Sequence, residues 1–203
     1  LQNYPLINSR IAITRLEVWV LDQGTGNLQE QKTILGVRDL GEGSSGTPDN
    51  SQSGVYTAIS SLSGVRDVNT SYNSVNNNNL PTASGNAPYQ DGEHFIFNRK
   101  AKRLNSSEYT YNPQLGYISL NQRLNDNQLL AVSFSYTLSG DSKVYKVGEF
   151  SEESPVVITK LLKPNVLVKT SSPMWNLMMK NIYSLNANQI DSQNFLLNVL
   201  YKD

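Results

Sequence analysis

The chain has 203 residues, of which 38% are apolar and 17% are charged, and its formal net charge is zero. A neutral chain has no field that attracts nucleic acid or anionic lipid, so its balance disfavours a polyanion-binding function. The absence of cysteine excludes disulfides, thiolate zinc sites and a cysteine nucleophile. This length suits one all-β domain with a single core.

Two strands are predicted near the start of the chain. Residues 10–20 (RIAITRLEVWV) alternate, but their apolar positions change parity midway. Because side chains alternate along a strand with a period of two, this shift predicts a bulge near Thr14 and Arg15, or burial on both faces. Residues 32–40 (KTILGVRDL) follow a glycine-containing turn. The two segments are predicted to pair as a hairpin.

Residues 41–92 differ in character from their flanks, because they are dense in Gly, Ser, Asn and Pro. Such a composition buries little surface, so this segment is predicted to be a loop-rich excursion. Within it, Tyr56, Ile59 and Leu62 have helical spacing. They predict one short helix that ends at Gly64.

The second half is predicted to be mostly β. Residues 129–138 (LLAVSFSYTL) alternate throughout, which predicts that one face is core, and residues 144–150 return as their antiparallel partner. Pro113 and Gly116 predict a turn between two short strands. The other predicted strands are residues 92–98 (GEHFIFN), 108–111 (EYTY), 117–120 (YISL) and 156–163 (VVITKLLK).

One amphipathic helix is predicted near the C-terminus, with Ser172 as N-cap and Pro173 at its first position. Residues 195–202 (FLLNVLYK) are predicted to form a final strand. The whole chain is therefore predicted to be one domain, mainly β, sandwich-like and antiparallel, with this helix and a short one near residue 56; an α+β fold is the alternative. The apolar stripe of the C-terminal helix consists of Trp175, Met178, Met179, Ile182 and Tyr183.

The sequence offers little catalytic chemistry. His94 is the only histidine, so a histidine metal cluster is excluded and any Ser-His-Asp triad would need this residue. We expect it to be a locally bonded strand-end residue, because no G-x-S-x-G motif accompanies it. Three carboxylate pairs lie beside Gly or Ser and are expected to be solvated loop residues, so we predict no catalytic residue, cofactor or metal. These pairs are Asp39 with Glu42, Asp91 with Glu93, and Glu152 with Glu153.

Exposed tyrosines and the Asn-rich run are the candidates for partner contact, because tyrosine suits half-hydrated interfaces. The candidate residues are Tyr72, Asn76, Asn77, Asn78 and Tyr89. The same tyrosines are compatible with a second function, a carbohydrate-binding β-sandwich at the cell surface. A glycosidase that uses Glu93 or His94 is a third hypothesis.

Six motifs in order resemble one family, the SprA (Sov) proteins, which are very large cell-surface proteins of gliding motility and type IX secretion. The similarity extends from residue 4 to about residue 201. The motifs are YPLINSRIAITRLEVWV, a strand ending in DLGE, R-L-N-x-x-E-Y-x-x-N-P-Q-L-G-Y-I-S-L, L-A-V-x-F-x-Y, V-Y-x-V-G-E-F-S and W-x-L-M-M-K-N-x-Y-S-L.

The resemblance implies that the chain is a soluble insertion from a giant outer-membrane β-barrel protein through which folded cargo leaves the periplasm. We expect a non-catalytic structural or interaction domain at the extracellular cap or rim, with the periplasmic side as the alternative. Its expected partners are proteins of the secretion machinery and secreted cargo. We expect no nucleic acid, no small-molecule substrate and no cofactor, and contact with the membrane only through the barrel portion of the parent protein.

Overall fold

The computed structural model describes most of the chain, and its described part is mainly β and mostly antiparallel, as predicted. The described residues are 10–22, 31–41, 47–76, 88–113 and 116–177, with Gln193, Leu196, Asn198 and Leu200. The strands are β1 (Ile11–Asp22), β2 (Gln31–Val37), β3 (Phe95–Arg103), β4 (Tyr109–Asn112), β5 (Tyr117–Leu120), β6 (Gln128–Leu138), β7 (Val144–Val147) and β8 (Val156–Lys163). The helices are α1 (Gly54–Ser60) and α2 (Ser71–Asn76), with 3₁₀ helices at Asn50–Gln52 and Pro173–Leu177.

Five of these strands pair in a closed ring. β1 pairs with β3 on one side and with β6 on the other; β3 continues to β2, β2 to β8, and β8 returns to β6. All of these pairs are antiparallel except β2 with β8, which is parallel. β7 extends the sheet beyond β6, and β4 with β5 form a separate hairpin. Ring closure satisfies strand edges that an open sheet would leave unpaired.

The interior of the ring is filled by one apolar cluster to which every ring strand contributes. Its members are Trp19, Leu21, Ile34, Ile96, Ala101, Leu129, Ala131, Val157, Leu161 and Met174. Gly36 faces this interior: a Cβ there would lie 3.2 Å from Leu161 Cδ1 and 3.7 Å from Leu21 Cδ2. The inside is therefore a packed core and not a channel.

Unpartnered polar atoms in this core lead to a prediction. Thr159 Oγ1 is buried and has no hydrogen-bond partner among the described residues. Because valine has the same shape without the hydroxyl, Thr159→Val is expected to leave the free energy of unfolding unchanged or to raise it by up to about 1 kcal/mol. The matched variant Ser135→Ala, which loses a 2.8 Å bond to Thr14 Oγ1, is expected to lose about 1 kcal/mol. Urea unfolding measures both, and a clear loss in Thr159→Val would contradict the assignment.

A second apolar cluster covers the outer face of the ring, and the predicted loop-rich excursion supplies much of it. Val55 and Ile59 of α1, Val75 of α2 and the intervening Val65 pack on buried side chains of β2, β3 and β8. The prediction that the Gly/Ser/Asn-rich stretches of this segment bury little is therefore wrong for Asn50, Ser53, Ser71 and Val75, which are buried. Lone valines in a polar segment are a weak signal, and tertiary burial overrides the local composition. α2 was predicted as loop for the same reason.

The short helix near Tyr56 is confirmed as α1, but it ends earlier than predicted. Ser53 is its N-cap and accepts from the Tyr56 N–H, while Ser61 caps its end. Gly64 does adopt a positive φ of 76°, but it does so in the turns that follow the helix. Leu62 therefore lies beyond the end of the helix, and it packs against the outer cluster from the turns that follow.

The predicted first hairpin is wrong, whereas the predicted bulge is confirmed. β3 lies between β1 and β2 and pairs with both strands. The register of β1 against β6 shifts between Ile13 and Arg15. The bulge in β1 follows from the alternation of its own side chains. The pairing partner of β1 depends instead on which other strand lies along its edge in the fold.

The prediction that only one face of β6 is core is also wrong, because both faces are buried. Leu129, Ala131 and Ser133 face the filled interior, and Tyr136 packs in the outer cluster. Alanine and serine occur on the inner face because the interior of the ring is narrow and accepts small side chains, and not because this face contacts water. The antiparallel pairing of β7 with β6 and the strand β8 are confirmed. So is the turn with Gly116, whose φ is 65°.

The C-terminal helix begins where predicted, at Pro173, and its described part is a 3₁₀ helix. The Trp175 N–H donates to the Ser172 carbonyl at 2.9 Å. The side chain of Met174 packs against the interior cluster. The predicted stripe from Met178 to Tyr183 lies outside the described residues. The predicted last strand is wrong where it is described, because Leu196, Asn198 and Leu200 lie in no strand. Its apolar face lies outside the described residues: Phe195, Leu197, Val199 and Tyr201.

Tyr136 leads to a prediction about alkaline pH. Its hydroxyl donates to the Pro48 carbonyl at 2.6 Å, and burial, with Asp49 and Tyr145, raises the pKa of Tyr136 from 10.0 to about 12. The folded state then holds this proton more tightly than the unfolded state. The resulting stability is complete below pH 10 and is lost as pH rises towards 12.

We therefore expect the melting temperature to fall over that pH range and to fall less steeply in Tyr136→Phe. Circular dichroism melts from about pH 8 to 12 measure the slope. Tyr72→Phe, which removes a phenol from the surface, is the matched control. An identical slope in Tyr136→Phe and the parent chain would contradict this role for Tyr136.

Candidate functional site

A loop between β7 and β8, residues 148–153 (GEFSEE), makes polar contacts with several strands and with α1, and its first three residues are buried. Its entry is set by Gly148, which has a φ of 78°. The side chain of Asn50, which is buried, donates to the Gly148 carbonyl at 2.9 Å and accepts from its N–H at 2.7 Å. A Cβ at Gly148 would lie 2.6 Å from Ser133 Oγ. Both the backbone conformation and the space therefore require glycine.

The next residue of this 148–153 loop, Glu149, is 4% exposed and carries four hydrogen bonds. The Arg66 guanidinium donates two of them, at 2.5 and 2.6 Å. The Tyr56 hydroxyl donates at 2.8 Å and the Ile158 N–H at 2.9 Å. Burial and the neighbouring Glu149 carboxylate raise the pKa of Tyr56. This carboxylate connects α1, the turn at Arg66 and β8.

Glu17 of β1 forms the second buried centre, at 5% exposure. It accepts from the N–H and the hydroxyl of Ser151 at 2.9 and 3.0 Å. Arg15 and Arg103 donate to it at 2.9 and 3.3 Å, and Lys32 donates to the Ser151 carbonyl. The 148–153 loop is thus attached to β1, β2 and β3.

Phe150 lies between two cations, with the Arg15 guanidinium 3.9 Å and the Lys146 ammonium 5.5 Å from the ring centre. Arg15 also pairs with Glu152, at 2.7 Å for one of the two bonds, and Lys146 pairs with Glu153. The hydrogen bond from Arg15 lowers the pKa of Glu152 to about 2. Glu152 and Glu153 are exposed turn residues, as predicted, and each also forms an ion pair.

His94 is bonded locally, as predicted. Its Nδ1 accepts from the Gln90 N–H at 3.2 Å, and its ring meets the Tyr89 ring edge to face at 5.2 Å. Of the other predicted carboxylates, Asp39 and Glu93 line the same groove as His94, and Glu42 lies outside the described residues. The described residues contain no group of three or more His, Asp or Glu side chains placed to hold a metal ion.

This groove, of about 630 Å³, is the Tyr89 groove. It is bordered by Arg38, by the start of α1, and by the apolar side chains of Val166 and Leu167. Burial, with Asp39 nearby, raises the pKa of Tyr89, and burial lowers the pKa of Arg38. One Nη of Arg38 donates to the Gly92 carbonyl at 2.5 Å. The groove combines aromatic, apolar and charged groups in one place.

The predicted contact residues do not form one site. Tyr72 and Asn76 lie on α2, where the Tyr72 ring is 44% exposed and meets Phe97 edge to face at 5.3 Å. Tyr89 lies in its own groove. Asn77 and Asn78 are outside the described residues.

Sequence reasoning missed the residues on which the buried centres depend. A lone acid inside the apolar run LEVWV was a usable signal for Glu17, since buried charges require partners. Asn50 and Arg66 had no signal, because they lie in a segment whose composition predicts loop. Arg99, which directly follows the predicted strand 92–98, was also missed; its guanidinium stands 5.8 Å from the Tyr72 ring centre.

In the described part of the chain, no helix has the length and apolar character required to cross a membrane. No protein-family model matches this sequence, and no curated protein is significantly similar to it.

Proposed function

We propose that the chain is a non-catalytic structural and interaction domain of a cell-surface protein of the SprA type, in type IX secretion and gliding motility. The observation that carries the proposal is the convergence of the family motifs on the 148–153 loop. Arg15 and Glu17 come from the first motif and Arg103 from the third. All three bond to Ser151 or to its acidic neighbours. Residues from segments far apart in sequence thus hold the same loop in place.

The architecture suits a wall that must keep its shape while cargo passes. The ring is filled inside and covered outside, and hydrogen bonds to Ser151 attach the 148–153 loop to β1, β2 and β3. A closed sheet resists opening because no edge strand can be displaced without loss of paired backbone groups. We therefore propose that it forms part of the extracellular cap or rim of the translocation barrel.

The test of function uses the parent protein in cells. Gly148→Ala should abolish folding of the domain or weaken it strongly, whereas Gly140→Ala keeps the same positive-φ cost with nothing within 4 Å of the new Cβ. We expect cargo secretion to fall with Gly148→Ala and to persist with Gly140→Ala. Normal secretion by a Gly148→Ala parent, in which limited proteolysis shows this domain to be unfolded, would refute a role in the machine.

The placement requires a separate experiment. An epitope inserted directly after Asn76 of the parent is expected to be labelled on intact cells, because Asn76 lies exposed at the end of α2. A periplasmic protein with the same epitope is the control for envelope integrity. Labelling only after the outer membrane is opened would assign the domain to the periplasmic side, with its partners there.

A carbohydrate-binding module is the second candidate, favoured by the Tyr89 groove. Its volume falls within the range of ligand pockets, and it places Tyr89 near the carboxylates of Asp39 and Glu93, which accept hydrogen bonds of the kind that sugar hydroxyls donate. A glycan array with the isolated chain should then give signals that Tyr89→Ala removes and Tyr117→Ala retains. No binding to any glycan on the array would eliminate this candidate.

A further inference from the structure

Arg99 differs from the arginines that form ion pairs between segments of the fold. Arg15, Arg66 and Arg103 each pair with a carboxylate. Arg99 is exposed and, within the described part of the chain, makes no ion pair; its guanidinium stands 5.8 Å from the Tyr72 ring centre and 5.7 Å from that of Phe97. Its charge is therefore available to a partner.

A bulge in β3 sets the position of Arg99. The register against β2 runs from Ile34 opposite Asn98 to Lys32 opposite Ala101, so β3 has one more residue than β2 over this stretch. Asn98 is 7% exposed, and its Oδ1 accepts from the Lys100 N–H at 2.8 Å. A bulge held in this way redirects the side chains beside it. It places Arg99 on the outer face, beside Phe97.

α2 supplies the other half of this surface. Tyr72 meets Phe97 at an interplanar angle of 64°, so the two rings do not form a flat platform on which a sugar ring could stack. They present apolar edges next to a guanidinium. Tyrosine and arginine dominate the energetics of protein interfaces, and the planar fork of arginine fits both oxygens of a carboxylate.

We propose that Tyr72, Asn76, Phe97 and Arg99 form a docking surface, the Arg99 surface, for an acidic segment of a partner protein. Arg99 binds a carboxylate of that segment, and Tyr72 with Phe97 contacts an apolar side chain next to it. Asn76 lies one helical turn after Tyr72 and is exposed, so its amide reaches the partner backbone. The inference deepens the proposed function, because it rests on the domain acting by protein contact. A surface this small suits a transient contact.

Fluorescence anisotropy on the isolated chain tests the inference. The probe is a labelled peptide in which leucine alternates with aspartate and glutamate; its control is the same peptide with asparagine and glutamine in place of the acids. We expect saturable binding of the acidic peptide alone. Arg99→Ala and Tyr72→Ala should each weaken it about tenfold, and Arg99→Lys should weaken it several-fold because the fork is lost. Arg123→Ala, the loss of another exposed arginine, should leave it unchanged.

Melting temperatures confirm that each variant is folded. Absence of saturable binding up to about 1 mM peptide, equal binding of the amide peptide, or full binding by Arg99→Ala would each overturn the proposal. Glycan binding that needs Tyr72 but not Arg99 would also overturn it and assign the surface to carbohydrate. If peptide binding fails while the Gly148→Ala parent loses secretion, the docking surface is refuted and the proposed function stands.

Discussion

Gly148→Ala is expected to lower the free energy of unfolding by about 3 kcal/mol, combining the cost of a positive φ with overpacking. The φ of Gly148 is 78°, a conformation that an L-residue adopts only under strain. The new Cβ would also lie 2.6 Å from Ser133 Oγ and 3.2 Å from Ser133 Cα. Relief of the second contact requires β6 to move, since it involves backbone. Urea unfolding of the isolated chain measures the loss.

Gly140→Ala separates the two contributions to this loss. Gly140 has a φ of 90° but nothing within 4 Å of the new Cβ, so its substitution should cost only the backbone part, about 1–2 kcal/mol. Adding Ser133→Ala to Gly148→Ala removes the hydroxyl and should recover part of the loss. Equal losses in Gly148→Ala and Gly140→Ala would show that the loop yields freely, which would contradict the tight packing at Ser133.

Arg66→Met is expected to cost about 3 kcal/mol, the low end of the range for breaking a buried ion pair. Glu149, whose side chain is 5% exposed, would lose two hydrogen bonds from the guanidinium together with the cation that pairs with it. The low end applies because the Arg66 side chain is itself 36% exposed. The loss should appear in thermal and urea unfolding as a single transition at lower stability.

The double variant Arg66→Met with Glu149→Gln tests the cause. Removal of both charges leaves no uncompensated carboxylate. The amide oxygen can still accept from the Ile158 N–H, while its NH₂ group donates to the Tyr56 hydroxyl oxygen, so the double variant should be more stable than Arg66→Met alone. Arg123→Met, at an exposed position, should change stability by less than about 0.5 kcal/mol. A double variant that is less stable than Arg66→Met would refute the ion pair as the source of the effect.

The two buried carboxylates explain why the 148–153 loop is fixed to the ring although it contains no regular structure. Glu17 attaches it to β1 and Glu149 attaches it to α1 and β8. An unpaired buried charge is costly, so each carboxylate selects the one arrangement in which its partners are all in place. The loop thereby couples the outer layer of helices to the ring.

Features that depend on a few neighbouring residues were predictable here. The bulge at Ile13 to Arg15, the turn at Gly116 and the start of the helix at Pro173 all follow from side-chain alternation or from the stereochemistry of glycine and proline. The partial exposure of Tyr72 also fits its local sequence. Tyr72 lies in a polar segment that offers few neighbouring apolar side chains to cover a large ring.

Features that depend on distant partners were decided by the folded chain. Ring closure requires β1 to pair with β6, and β2 to pair in parallel with β8; local propensity cannot choose among several strands with similar edges. The burial of α2 depends on the outer face that it covers. The orientation of Arg99 depends on a bulge whose register is set by β2. Periodicity and turn chemistry act over a few residues, whereas strand partners and the pairing of buried charges are settled by competition across the whole fold.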